Sequence, residues 1–402
     1  KKKQMLKLNK VASDFFIEIY KRAATDHPIK QYVQKRKLKP ETLVEFGIGY
    51  APIEWDGLTM HLARQKYSAA LAEEARLIKA RKDGSGHFDL FRDRLMFPIQ
   101  SPSGEVLAFG GRIHDQGEPK YLNSPETIVF SKSRVLYGLY QTAKYIRAED
   151  CVVVVEGYMD LVSLYQAGLK NVVATMGTAL TVDHAKLIKR MTSNVIVLFD
   201  GDDAGQMAAE RSLTILLSQG LYPKGLILTE AKDPDEFINK FGLPAMQDKI
   251  QRSADLFNVV LSSWMQDYRG EASQKVKLVD KIKPVFDSIM DPRLKSLYGE
   301  DLANRMNVTK DWLRSALKQS PGGQSNAVRQ NQELVAPTTQ QTASPVEDKE
   351  YSEFLGLGEV KISLANAPLV ETTLLKMVLK SRANMEWLLK FKNSDGLNEE
   401  QN

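Results

Sequence analysis

The sequence predicts an α/β protein: a parallel-sheet domain, preceded by a basic segment of mixed helices and strands and followed by a helical bundle. Three observations carry this. Two apolar runs, Cys151–Val155 and Val195–Phe199, end in acid, at Glu156-Gly157-Tyr158-Met159-Asp160 and Asp200-Gly201-Asp202-Asp203-Ala204-Gly205. Continuous β-branched or aromatic runs of this length mark strands covered on both faces. Between residue 151 and about residue 237 such runs alternate with helical patterns, the rhythm of a βα repeat. Residues 251–318 then keep helical spacing.

The elements follow in order. Val11, Phe15, Phe16, Ile19 and Tyr20 place an amphipathic helix at residues 9–25. Ile29 to Phe46 reads as two short helices, the second opening at Pro40-Glu41, where proline suits a first turn. Gly47 to Pro52 breaks helix and reads as strand or loop. Leu95–Ile99 and Val106–Phe109 flank Ser101-Pro102-Ser103-Gly104, a hairpin turn. Gly110-Gly111 before Arg112 leaves backbone bare for close approach by another chain or a phosphate.

In the βα repeat the strands fall at Cys151–Val155, Asn171–Thr175, Asn194–Phe199 and Gly225–Thr229. The helix after Asp160 ends at Gly168, the next opens on Thr181 as cap, and a third runs from about Gln206 to Gly220. Further on, Pro284 should kink or divide a helix, and Leu302 to Leu313 has a helix-turn-helix cadence that bundle packing also explains. Residues 320–350 lack any apolar period and read as a disordered linker. Residues 351–402 resume patterning at Leu369 to Leu389 and read as the start of a domain that is cut off.

Composition narrows the function classes. A chain of 402 residues, 43% hydrophobic, can hold more than one domain. No apolar stretch approaches the ~20 residues a bilayer crossing needs, and Lys1-Lys2-Lys3 is followed by no signal-type apolar run. The start at Lys1 instead of Met reads as an excised fragment. The single cysteine, Cys151, reads as inert packing; it excludes an internal disulfide and a cysteine-rich zinc site, and fits a reducing, cytoplasmic setting. Net charge is only +5, but basic residues crowd the first third while acids gather in the middle. A basic surface beside an acidic pocket suits a polyanion held next to metal.

The acids fall into three groups beyond strand ends: Glu156 with Asp160, Asp200 with Asp202, and Asp233 with Asp235 around Pro234. Open parallel sheets bind ligands at that edge, and converging carboxylates repel unless divalent cations lie between them. Mg²⁺ takes hard oxygen ligands of this kind, and two such ions can activate an attacking oxygen and stabilise a leaving one. Alternatives remain for two of the groups: Asp160 also fits a helix cap, and Asp233-Pro234-Asp235 a plain turn. His114 reads as a surface hairpin residue and His184 as a helix-face residue, neither with a partner at metal spacing.

Glu156 to Asp160 with Asp200 to Gly205 resembles the Toprim signature. Phe91 to Ile99, Phe109-Gly110-Gly111-Arg112, Pro119 to Thr127, Lys132, Leu136-Tyr137-Gly138 and Gly177 to Thr181 resemble the bacterial replicative primases of DnaG type, over roughly residues 10–320. The resemblance implies an RNA-polymerase core in three parts: a basic α/β subdomain at 1–140, a Toprim domain at 141–245 and a helical bundle at 246–319. It implies Glu156, Asp200 and Asp202 as catalytic and metal acids, Asp233 and Asp235 as further metal ligands, and Asp160 as their support. Arg112, Lys120, Tyr121, Asn123 and Lys132 match the family's nucleotide- and template-binding ridge, and Arg36, Arg92 and Arg94 would track DNA. Tyr121 also fits a core position and Asn123 a turn cap.

The expected chemistry is synthesis of RNA primers from ribonucleoside triphosphates on single-stranded DNA, with Mg²⁺ or Mn²⁺, two ions in number. A Toprim nuclease is the rival reading. The family's zinc belongs to an N-terminal domain with no counterpart here, and its replicative helicase would bind the domain begun by residues 351–402. No membrane association is implied, and the core is expected to be monomeric. One departure stands out: Lys37 follows Arg36 where the family pattern has glycine.

Overall fold

The computed structural model describes residues 1–114, 117–200 and 203–319. The readings made for residues 320–402 lie outside the described residues. The chain opens with α1 (Lys2–Arg22), α2 (Pro28–Lys35), α3 (Pro40–Phe46), β1 (Gly49–Ala51), α4 (Gly57–Arg64) and α5 (Ala69–Glu74). There follow β2 (Ile78–Ala80), β3 (His87–Asp89), β4 (Arg94–Gln100), β5 (Val106–Ile113) and β6 (Tyr121–Asn123), then a 3-10 turn at Lys132–Arg134 and α6 (Leu139–Ala148). Strands β1, β4, β5 and β6 make an antiparallel sheet in that order, with β4 and β5 the expected hairpin. Helix α1 starts a full two turns before the reading from residue 9 because Met5 and Leu8 carry its buried stripe back through a lysine-rich stretch.

The second sheet is built from β7 (Val152–Val155), β8 (Val172–Ala174), β9 (Asn194–Asp200) and β10 (Tyr222–Leu228), separated by α7 (Tyr158–Ala167), α8 (Val182–Lys189) and α9 (Asp203–Leu217). After β10 come α10 (Pro234–Gln251), β11 (Ala254–Asp255), α11 (Leu256–Trp264), α12 (Ala272–Ser288), α13 (Pro292–Met306) and α14 (Lys310–Lys318). The strand order is β8-β7-β9-β10-β11, parallel except for β11. The unbroken apolar runs have a direct cause. Val153, Val155, Ile196 and Leu198 face a core shared with α7 and α10, while Val152, Val154, Val195 and Val197 face one shared with α8, α9 and α11.

Two differences from the sequence reading appear here, followed by one reading that the structure bears out. The stretch after residue 251 is not wholly helical: β11 pairs Ala254 with Gly225 at the sheet edge. Helix α12 runs through Pro284 undivided: proline forgoes its own amide bond to the Asp280 carbonyl, while Ile282, Val285 and Phe286 around it stay packed in the bundle core. The helix-turn-helix cadence is a real turn, with Asn307 left-handed (φ +50°) and Thr309 capping α14, but Leu302, Met306 and Leu313 all point into the bundle core.

Two features position the site. The chain passes from β7 to β8 and then to β9 on the other side of β7, so the topology switches between β7 and β9, where open α/β sheets place their ligands. The antiparallel sheet also shares the first core: Tyr50, Phe97, Ile99 and Ala108 pack with Tyr158 and Leu161 of α7. The acid-bearing edge and the basic sheet are thereby locked together.

Candidate active site

A cleft of about 790 Å³ lies where the turns beyond β7 and β10 meet α2, β5 and β6. Glu156, the residue after β7, is exposed along it. Asp160 lines it too, and its Oδ2 accepts the Gly157 amide at 3.1 Å, so it caps α7 while facing the cleft. Asp200 closes β9, the neighbour of β7, which puts its backbone at the switch point; Asp202 lies outside the described residues. Asp233 lines the cleft as the cap of α10, its Oδ1 accepting the Glu236 amide at 2.8 Å.

Asp235 is buried, at 5% exposure, and both its oxygens are engaged. Oδ2 accepts Arg36 Nη1 at 3.0 Å; Oδ1 accepts Asn239 Nδ2 at 2.9 Å and the Ser163 hydroxyl. Among the described residues no three Asp, Glu, His or Cys side chains group closely enough to hold a metal. The donor chemistry nonetheless fits Mg²⁺ or Mn²⁺. The acids at the rim are carboxylates with no thiolate or imidazole among them, the hard oxygen set these ions require.

The opposite wall is basic. Arg112, in β5, is 5% exposed and lies 5.0 Å over the Tyr121 ring, donating to the Tyr121 hydroxyl, while its buried Nε finds no partner. Lys120 is exposed beside it. Burial pushes the Tyr121 hydroxyl well above its ordinary value, against the pull of Arg112, so it remains a neutral donor. Asn123 joins the two sheets: Tyr158 donates to its Oδ1 at 2.6 Å, and its Nδ2 donates to the Met176 carbonyl at 3.2 Å.

Arg36 reaches the cleft from the end of α2. Burial pulls its pKa down, but Tyr32, Asp235 and Tyr121 outweigh this and hold it above the usual guanidinium value. Lys37, where the resemblance implies a glycine, has φ +55°, the left-handed turn that ends α2 through the bond from the Leu38 amide to the Val33 carbonyl. Glycine is favoured there because only it lacks the Cβ clash.

Three predicted residues lie elsewhere. Lys132 sits on the 3-10 turn and does not line the cleft; its carbonyl is paired with His184 Nε2 at 2.8 Å. Arg92 lies 3.8 Å over the exposed Trp55 ring, its Nη1 donating to the Asp89 carbonyl. Arg94 is turned inward, 7% exposed, with Nη1 donating to the Pro119 carbonyl at 2.9 Å. It braces the loop before β6 and presents no guanidinium to solvent.

The two glycines before Arg112 are approached by the chain itself. A Cβ on Gly110 would fall 2.5 Å from the Tyr158 ring, and one on Gly111 would fall 3.0 Å from Phe91 and Arg94. No phosphate is needed to explain them. His184 lies on α8 as expected, on its fully buried face, where it holds both the Thr181 amide and the Lys132 carbonyl. His114 is bonded to Asp93.

Sequence reasoning missed Ser163 and Asn239, which fix Asp235, and Tyr158, which holds Asn123. The Asn239 link was detectable, since residues four apart on a helix face one another. Ser163 left no signal, because its contact joins two helices distant in sequence. Lys35, Lys37 and Lys232 complete the basic lining.

Comparison with known proteins agrees with this geometry. Residues 15–143 match the family described as the DNA primase catalytic core, N-terminal domain, and residues 153–238 match a Toprim-like family. The DNA primase of Pseudomonas putida is 38% identical over 301 residues, covering 71% of this chain and 46% of that protein. The DNA primase of Pseudomonas aeruginosa is 41% identical over 244 residues, 59% of this chain and 37% of that one. The chain thus spans about half the length of the curated relatives it matches. A crystal structure of a DNA primase domain from Pseudomonas aeruginosa superposes with a TM-score of 0.72 at 33% identity, covering 78% of this chain and 100% of that one. The structure of a DnaG primase catalytic domain bound to single-stranded DNA gives 0.69 at 32% identity, covering 75% and 98%. Fold and site place the molecule among Toprim proteins with a basic antiparallel sheet set against the acidic edge. The chain belongs to the family of bacterial DnaG-type DNA primases.

Proposed function

We propose that this chain is the RNA-polymerase core of a primase, joining ribonucleoside triphosphates into short RNA primers on single-stranded DNA at the replication fork. The observation that carries the reading is the single cleft in which Glu156, Asp160, Asp233 and Asp235 face Arg36, Arg112, Lys120 and Tyr121. Nucleotide triphosphates need cations to bind them and carboxylates to hold the ions of the reaction. Two divalent cations of the Mg²⁺ or Mn²⁺ class, held by Glu156, Asp200, Asp202, Asp233 and Asp235, would activate the 3′-hydroxyl and neutralise charge on the α-phosphate and leaving pyrophosphate.

The side chains have separable tasks. Arg112 and Lys120 bind phosphate oxygens, the guanidinium bidentately. Tyr121 offers a stacking face beside a cation, the combination that suits single strands. Asn123 holds this wall at a fixed distance from α7. Asp160 steadies the turn that presents Glu156. Arg36 must leave Asp235 for that carboxylate to bind an ion at Oδ2; Lys132 would meet nucleic acid outside the cleft, and Arg92 with Trp55 would guide DNA on the outer surface.

We assign residues 1–140, 141–245 and 246–319 to the basic subdomain, the Toprim domain and the helical bundle, with 320–350 as a linker and 351–402 as the start of a helicase-binding domain. The setting is the bacterial cytoplasm; no helix among the described residues is long and apolar enough to cross a membrane. The test is incorporation of labelled ribonucleotides on a single-stranded template. Glu156→Gln, Asp200→Ala and Asp202→Ala should each lower it by several kcal/mol of barrier, ~10³-fold. Undiminished synthesis would rule the reading out, and strand scission without incorporation would replace it with a nuclease.

A further inference from the structure

The ion pair of Arg36 with Asp235 is unequal. The Asp235 side chain is 7% exposed and the Arg36 side chain 34%, so the carboxylate is set into the wall while the guanidinium lies at the cleft surface. Oδ1 is held twice, by the Ser163 hydroxyl from α7 and by Asn239 Nδ2 at 2.9 Å, and the same Nδ2 donates to the Asp235 carbonyl at 2.8 Å. Among the described residues Oδ2 has a single donor, Arg36 Nη1 at 3.0 Å. The carboxylate is thus locked by one oxygen and closed at the other by a group that can be removed.

A structural strut is the plainer explanation of such a pair, but the end of α2 is braced without it. Gln166 of α7 clamps that end: its Nε2 donates to the Lys37 carbonyl at 2.9 Å and its Oε1 accepts the Lys39 amide at 3.1 Å. Helix α7 in turn packs against α10. The Arg36 backbone is therefore fixed whatever its side chain does. The guanidinium's other support is the Tyr32 ring, 5.6 Å from its central carbon, and that ring lies 5.7 Å from the guanidinium carbon of Arg112 as well. Attraction to a ring face has no single required position, unlike a hydrogen bond.

The chemistry then constrains how Arg36 can leave. A guanidinium keeps its charge at any physiological pH, so it does not depart by losing a proton. A buried carboxylate stripped of its partner is strongly destabilising, so Asp235 gives up one cation only in exchange for another. A divalent ion of the Mg²⁺ class seeks the same oxygen lone pairs.

We propose that Arg36 is a built-in competitor for the divalent ion at Asp235: its guanidinium closes the one exchangeable carboxylate oxygen, and the exchange that opens this oxygen delivers the guanidinium to the wall formed by Arg112 and Lys120. This rests on the two-ion reading given above and adds to it that ion binding and phosphate binding are coupled through one side chain.

The experiment titrates the full chain with Mn²⁺, free of nucleotide and nucleic acid, and follows bound ion by electron paramagnetic resonance. Arg36→Gln should bind Mn²⁺ roughly 10–100-fold more tightly than wild type, as expected when a competing charge-assisted hydrogen bond is lost. Lys35→Gln removes a neighbouring charge from the same lining without touching Asp235, and should shift affinity about fivefold at most. The gain should vanish when Asp235→Asn is added to Arg36→Gln. Thermal unfolding of each variant verifies that it folds. A second measurement uses the unaltered protein: the Arg36 Nε–H resonance should move as Mg²⁺ is added, while that of Arg94, bonded to the Pro119 carbonyl, stays in place. Wild-type affinity in Arg36→Gln, a gain that survives Asp235→Asn, or an unmoved Arg36 resonance overturns the proposal, leaves Arg36 a strut and keeps the polymerase reading intact. Absence of any Mn²⁺ binding by wild type and Arg36→Gln alike overturns the two-ion reading as well.

Discussion

The antiparallel sheet carries Arg94 and Arg112 within its strands, whereas β7 and β8 of the parallel sheet are wholly apolar and the acids lie at or beyond strand ends. Arg112 lies inside β5 and Tyr121 and Asn123 inside β6, while Val152–Val155 is wholly buried before Glu156 appears. The difference is one of what fixes each charge. A side chain in a strand points to one face or the other by its register, so a slip of one residue would turn Arg112 away from the cleft. An acid beyond a strand end owes its place to the order of strands, here to the switch between β7 and β9. Arg94 illustrates the first rule: it pairs across the ladder with Ile113, next to the pair of Leu95 and Arg112, and its guanidinium goes inward.

Substitutions at three positions test that contrast, in falling order of effect. If Arg112 is the phosphate ligand proposed above, Arg112→Gln removes a charge-assisted contact worth about 1.5–3 kcal/mol, so nucleotide affinity should fall ~10–100-fold, and Arg112→Lys should recover little because it lacks the planar fork. Nucleotide titration with the wild-type affinity in Arg112→Gln would remove this wall from the binding site. Gly110→Val drives a side chain into the Tyr158 ring and should cost about 1–3 kcal/mol of stability, seen as a lower midpoint in denaturant. An unchanged midpoint would mean that the two sheets do not depend on this contact. Lys37→Gly relieves a left-handed turn and should raise stability by about 0.5–1 kcal/mol; a loss would show that the lysine side chain itself supports the end of α2.

Much of the parallel sheet was legible because each strand is covered on both faces and so reads as an unbroken apolar run. Helix ends at Gly168 and Thr181 were legible for local reasons, the left-handed glycine (φ +115°) and the hydroxyl that accepts the His184 amide. Strand β11 was not, since two residues cannot set up a period. Of the candidate site, the positions of Glu156, Asp160, Asp233, Arg112, Lys120, Tyr121 and Asn123 follow from strand ends and motif order. Their partners do not. The engagement of Asp235 by Arg36, the inward turn of Arg94 and the placement of Lys132 outside the cleft all depend on contacts between residues far apart in the chain. The glycine pair rightly announced a close neighbour, but bare backbone does not say which one.

The Tyr158 ring stacks on Phe97 at 5.2 Å, meets Tyr137 edge-on at 4.7 Å, fills the space left by Gly110 and ends in the bond to Asn123. It acts as a spacer bar between an acid-bearing helix and a basic strand. The gauge of the channel is therefore written in one uncharged side chain, two positions after Glu156. Widening or narrowing the gap between the acidic and basic walls requires no change to any charged group, only a bar of different length with a glycine trimmed or filled to match.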